Sequence, residues 1–171
     1  MLNLIITTER IGPYHNARFK SLSNQNNINI GVLQFNPQSN RYLWEDSIDN
    51  SYKIFNIKNQ SSKKEIKKQI KEVIEVFKPN AFIIEGWDQK ISKYLIFMSN
   101  QLKIPSILLS DSRYKDHIRN VFKELIKIIL LRGISCALVA GTESKEYLIK
   151  LKFKIENIFQ PYDVVDNEYF S

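Results

Sequence analysis

At 171 residues, with 43% hydrophobic and 25% charged positions, the chain is long enough for one globular domain with a sizeable core. Its formal charge of +7 suits an acidic partner without choosing among nucleic acid, anionic lipid and a phosphorylated small molecule. A single cysteine, Cys136, excludes an internal disulfide, and two well-separated histidines give no transition-metal cluster.

Met1 leads straight into LNLIITT with no basic leader or small-residue cleavage site. No apolar run approaches the roughly 20 residues that span a bilayer. A cytoplasmic protein is expected, with peripheral contact to a membrane left open.

Leu2 to Thr7 is short, apolar and β-branched, and predicts a first buried strand. Gly12 and Pro13 form a loop before the helical stretch YHNARFKSLSNQ. His15 and Arg18 lie three apart in it and share a face. INIGVLQF (Ile28 to Phe35) predicts strand two and YKIFNI (Tyr52 to Ile57) strand three. The polar insertion between them, Asn36 to Asn50, carries Arg41, Tyr42 and Trp44, which fit a loop packed on the sheet edge or an acceptor pocket. From Ser61 and Ser62 to Lys78 a helix is expected, with Ile66, Ile70, Val73, Ile74 and Phe77 as its apolar stripe. Its lysines read as a solvated face, because no aromatic residues interleave with them as in a nucleic-acid stripe.

Pro79 ends that helix, and NAFIIEGW (Asn80 to Trp87) predicts strand four. Glu85 and Gly86 stand at its carboxyl edge, and Gly86 is suited to close backbone approach. A helix from Gln89 to Leu102 buries Ile91, Leu95 and Ile96. The next stretch, IPSILLSDSRYKDHIR, changes from an apolar strand to a crowded polar turn. A parallel strand ending in convergent polar groups is the usual geometry of an α/β site, since ligands bind outside the strands' carboxyl ends. Asp111 is therefore a ligand candidate; the alternative is that Asp111 or Asp116 caps the following helix. That helix, marked by Val121, Phe122, Leu125, Ile126, Ile129 and Leu130, is amphipathic and closes at Gly133. SCALVA (Ser135 to Ala140) is strand six, with Cys136 reading as a small buried hydrophobe. Gly141 and Thr142 open a helix carrying Tyr147, Leu148 and Leu151, and IENIFQ is a last short strand.

Apolar strands alternating with helical stripes imply right-handed crossovers and an α/β, doubly wound, Rossmann-like parallel sheet of six or seven strands. Leu2–Thr7, Ala81–Glu85, Ser106–Leu109 and Ser135–Ala140 are expected at its centre. Neither GxGxxG after the first strand nor GxxxxGK[ST] is present, so dinucleotide and P-loop nucleotide binding have no motif support.

Four pieces carry a family resemblance: GPYHNAR (Gly12 to Arg18), PNAFIIEGW, LKIPSILLSDSRYKDHIR, and the run from VAGTESKEYLIKLKF to IFQPYDVVDNEYF. Together they resemble the N-terminal half of a GT-B-type, family 4 retaining glycosyltransferase. The resemblance implies one Rossmann-like domain over residues 1–171, with 160–171 leading toward a second domain that the chain does not include. It implies an acceptor-binding half, inactive alone, with a sugar nucleotide as co-substrate and no other cofactor. Its implied partners are a second GT-B domain or a separate donor-binding subunit, and an acceptor sugar or glycolipid. Asp111 stands where many relatives place a histidine against the donor sugar. Asp111 and His15 are the catalytic candidates; Gly12, Arg18, Glu85, Gly86, Arg119 and Gly141 are the substrate-binding ones. All eight are expected on one rim. Tyr162, Val164, Val165, Tyr169 and Phe170 make the tail too apolar for a free linker, so packing or homodimerisation is expected. A stand-alone Rossmann-like module for a phosphorylated ligand is the alternative. Nucleic acid is favoured by net charge only.

Overall fold

The computed structural model describes residues 1–37, 49–57, 62–116, 120–162 and 164. Arg41, Tyr42, Trp44, Arg119, Val165, Tyr169 and Phe170 lie outside the described residues, so the expectations placed on them do too. In chain order the elements are β1 (Leu2–Thr8), α1 (Pro13–Ser23), β2 (Ile28–Gln34), β3 (Lys53–Asn56), α2 (Lys63–Phe77), β4 (Ala81–Glu85) and α3 (Lys90–Leu102). They continue with β5 (Ser106–Ser110), α4 (Val121–Leu131), β6 (Cys136–Val139), α5 (Thr142–Lys150) and β7 (Ile158–Phe159). Short 3-10 turns occur at Tyr114–Asp116 and Ile155–Asn157.

The strands form one seven-stranded sheet in the order β3-β2-β1-β4-β5-β6-β7, which contains the doubly wound Rossmann order. The pairs β1–β2, β2–β3, β5–β6 and β6–β7 are parallel. The four runs expected at the centre are interior strands, with β3 and β7 at the edges. By its contacts the chain divides into two compact units, Met1–Phe82 and Ile83–Asp163, with the boundary inside β4.

In Met1–Phe82, β1 and β2 run in register from Leu2 opposite Ile28 to Thr8 opposite Gln34. Both are buried along most of their length, as strands flanked on both sides should be. Gly31 is required by space. A Cβ there would meet Phe55 at 3.0 Å and Phe77 at 3.1 Å, two rings already in edge contact with centroids 5.8 Å apart. The Ser62 hydroxyl accepts from the Glu65 N–H (3.3 Å) to start α2. That helix buries Ile66, Ile70, Val73 and Phe77 and ends at Lys78 in the left-handed region, φ 51°, whose N–H donates to the Ile74 carbonyl.

In Ile83–Asp163, α3 buries Ile91, Leu95, Ile96 and Met98. Cys136 is half-buried rather than enclosed, and burial pushes its thiol pKa up, which keeps it protonated. The main departure from the sequence reading is α4. Its stripe is present, but Val121, Phe122, Leu125, Ile126 and Ile129 are exposed, and Leu131 is its one buried residue. The reason lies beneath the helix, where the buried Tyr147 hydroxyl donates to the Glu124 carboxylate and accepts from Lys127.

Candidate functional site

In Met1–Phe82 the polar groups gather where β1 ends. Gln34, buried as the last residue of β2, accepts from the Ile11 N–H through Oε1 (2.9 Å) and donates to Asn56 through Nε2 (3.2 Å). These bonds hold the 9–12 loop to the sheet. Gly12 caps α1 with no side chain of its own. Its N–H donates instead to His15 Nδ1 at 3.2 Å. In the neutral imidazole the proton therefore sits on Nε2, which lies 3.4 Å from Thr8 Oγ1. The Thr8 hydroxyl in turn donates to the Arg10 carbonyl at 3.4 Å.

His15 is 6% exposed and packs against Tyr14 and Phe19, with centroids 4.0 and 5.9 Å away. Both of its nitrogens are engaged within the fold, so it clasps the start of α1. Arg18 is half-buried. Its Nε donates to the Tyr14 carbonyl (3.3 Å), and its guanidinium lies 4.9 Å from the Tyr14 ring centre.

In Ile83–Asp163 the ends of β4, β5 and β6 converge. The Gly86 N–H donates to the Leu109 carbonyl at 3.0 Å, which brings the turn after β4 beside the end of β5. Gly86 has φ +65°, a left-handed backbone that glycine adopts without strain. Glu85 is half-buried, and its carbonyl accepts from Ser92 Oγ at 3.2 Å. Asp111 is exposed just past β5. Its carbonyl accepts from Ser144 Oγ (2.9 Å), and Ser144 is 3% exposed in the first turn of α5. Gly141 caps α5 in extended geometry, φ −174°, without a side-chain cap. A Cβ there would meet nothing within 4 Å, so the backbone at the cap of α5 has open space beside it.

Glu85, Gly86, Asp111 and Gly141 are thus brought together in one unit, and Gly12, His15 and Arg18 in the other. Neither Asp111 nor Asp116 caps α4. Asn120 does, accepting from the N–H groups of Phe122 (3.0 Å) and Lys123 (3.3 Å). Asp116 turns back to Arg113, accepting from its backbone N–H (2.7 Å) and its Nε (3.0 Å). Sequence reasoning missed Thr8, Gln34 and Ser144. A polar residue closing an apolar strand was the available signal for Gln34, whereas Ser144 carried none. Among the described residues no group of three or more His, Cys, Asp or Glu side chains is placed to hold a metal ion.

No protein-family model matches the chain, and no curated protein matches it. Solved structures do. UDP-GlcNAc 2-epimerase from Neisseria meningitidis, bound to UDP-GlcNAc, is similar over 93% of this chain and 45% of its own, with 17% identity and a TM-score of 0.62. The Methanocaldococcus jannaschii UDP-GlcNAc 2-epimerase gives 93% and 45%, 19% identity and 0.65. The Rickettsia bellii UDP-N-acetylglucosamine 2-epimerase gives 93% and 44%, 16% identity and 0.64. The chain spans less than half the length of these structures. At such identities the likeness establishes the fold: this is a Rossmann-like α/β sheet matching one half of a GT-B-like epimerase.

Proposed function

We propose that the chain is the acceptor-side half of a nucleotide-sugar enzyme whose chemistry is retaining glycosyl transfer. The observation that carries this reading is the likeness of 93% of the chain to 45% of a UDP-sugar enzyme, with polar groups at the strand ends where such a fold binds ligands. Asp111 and Glu85 accept hydrogen bonds from the hydroxyl groups of a sugar, Gly86 and Gly141 admit it closely, and Arg119 is a substrate-binding candidate. In the other unit, Gly12 and Arg18 contact a phosphate-bearing or acceptor ligand, and His15 is the catalytic candidate. In the transfer step the bond from the anomeric carbon to the leaving phosphate breaks. The acceptor oxygen bonds to the same face, and its proton passes to the departing phosphate. Paired carboxylates of the glycosidase kind are not needed for this. A second Rossmann-like domain, or a separate donor-binding subunit, supplies the opposite wall, because rate depends on holding both reactants and excluding water.

A second reading, an epimerase half, is favoured by the neighbours' own activity and by the carboxylates Glu85 and Asp111 at adjacent strand ends. Inverting a carbon centre requires its proton to leave and return, which carboxylates can serve. One assay separates the readings. The purified 171-residue chain is incubated with UDP-GlcNAc in heavy water, with and without a sugar acceptor. The proposal expects neither transfer nor deuterium in the sugar. Transfer by the chain alone overturns the half-enzyme reading, and deuterium at carbon 2 gives the site to epimerisation.

A further inference from the structure

We propose that the outward face of α4 docks onto an anionic lipid surface. The helix is fixed with its polar side inward. Glu124 accepts from the Tyr147 hydroxyl at 3.0 and 3.1 Å. Lys127 Nζ donates to Tyr147 at 2.8 Å and to Glu124 at 2.9 Å. Leu131, on the same side, is 2% exposed. Lys127 also lies 5.8 Å from the Trp87 ring centre. Helical spacing then throws Val121, Leu125 and Ile129, with Phe122 and Ile126, onto one continuous opposite face. These five are 82, 53, 59, 78 and 63% exposed, respectively.

The exposed charge carried by the helix itself has one sign. Between Asn120 and Arg132 the one acidic residue, Glu124, is turned inward, whereas Lys123 and Arg132 are exposed. An apolar strip edged by cations, on a chain of net charge +7, complements a bilayer carrying anionic headgroups. A second copy fits less well. An 11-residue helix is only about 16 Å long, and a stable interface buries roughly 800 Å² per partner. Two copies would also bring like net charges together. A bilayer asks only that the face sink by about 5–10 Å. This inference does not depend on the nucleotide-sugar reading.

The test is co-flotation of the full chain with phosphatidylcholine vesicles, with and without phosphatidylglycerol, beside sedimentation equilibrium without lipid. Binding to the anionic vesicles is expected. The double variant Phe122→Asn, Ile126→Asn should lose at least about tenfold in affinity while keeping its circular dichroism, since both side chains are exposed. Lys123→Glu with Arg132→Glu should abolish the preference for phosphatidylglycerol. A parent chain that ignores anionic vesicles, or an apolar-face variant that binds them equally well, overturns the proposal. So does a lipid-free dimer that the same variant makes monomeric, which gives the face to a second copy.

Discussion

The Lys127 ammonium and the Tyr147 hydroxyl lie 2.8 Å apart, on α4 and α5, and their contact determines which side of α4 meets the fold. Tyr147 is fully buried and Glu124 accepts the hydrogen bond from its hydroxyl, so each polar group in this cluster has a partner. Removing the hydroxyl leaves Glu124 and Lys127 paired with each other at 2.9 Å. Tyr147→Phe should therefore cost about 1–2 kcal/mol in urea unfolding, not the larger loss expected when a buried charge is stranded. Lys127→Met, which deprives Glu124 of its cation, should cost more than Tyr147→Phe.

The same cluster sets the alkaline limb of stability. Burial raises the Tyr147 pKa above its ordinary 10.0, with Glu124 adding to the rise and Lys127 opposing it. For Lys127 burial works downward, but hydrogen bonds to Tyr147 and Glu124 outweigh it and lift the pKa above 10.5. A raised folded-state pKa contributes stability that is complete below the unfolded value and is lost as pH rises through the folded one. These two groups should leave the melting temperature flat near neutrality and lower it above pH 10.0. Tyr147→Phe should make that decline shallower; a parent whose stability rises in this range would contradict the assignment.

Capping gives a contrast within one loop. Asn120→Ala should lose about 0.5–2 kcal/mol, because the side chain satisfies two orphan N–H groups of α4. Asp116→Ala removes a more exposed ion pair with Arg113 and should stay within about 1 kcal/mol. Chemical denaturation of both variants measures the difference. The reverse order would return Asp116 to the capping role that its place before the helix suggested.

The two glycines should also separate. Gly86→Ala places a Cβ on a left-handed backbone, φ +65°, at a cost of about 1–2 kcal/mol. Gly141→Ala has extended geometry and open space, so its stability should change by no more than about 0.5 kcal/mol. Any loss of ligand affinity in Gly141→Ala then reports on the site and not on folding.

Much of the sheet was legible because buried parallel strands such as Leu2–Thr8 and Ala81–Glu85 are continuous apolar runs, and α2 and α3 bury the stripes that their spacing marks. Orientation was not legible in α4. Periodicity reports that an apolar face exists, but Tyr147, 20 residues from Lys127 in sequence, decides where that face points. The same limit applies at the site. The loop after β5 reads as polar and strand-terminal from its own residues. That Ser144 ties Asp111 to α5 depends on a contact 33 residues away. That the Gly12 N–H and Thr8 lie beside the two His15 nitrogens depends on how the 9–12 loop folds back, which the spacing of His15 and Arg18 does not specify.

The central claim, that this chain is the acceptor-side half of a nucleotide-sugar enzyme whose rim at Gly86, Asp111 and Gly141 meets the donor's sugar, is tested most directly by titrating the isotopically labelled 171-residue protein with UDP-GlcNAc and following its backbone amide shifts. The account predicts weak, saturable shifts concentrated at Gly86, Asp111, Ser112 and the Gly141–Ser144 turn, reduced in Asp111→Asn and little changed by substituting Lys63 and Lys64. Shifts absent from these amides at the highest soluble ligand concentration, or gathered on the lysine face of α2, would contradict it.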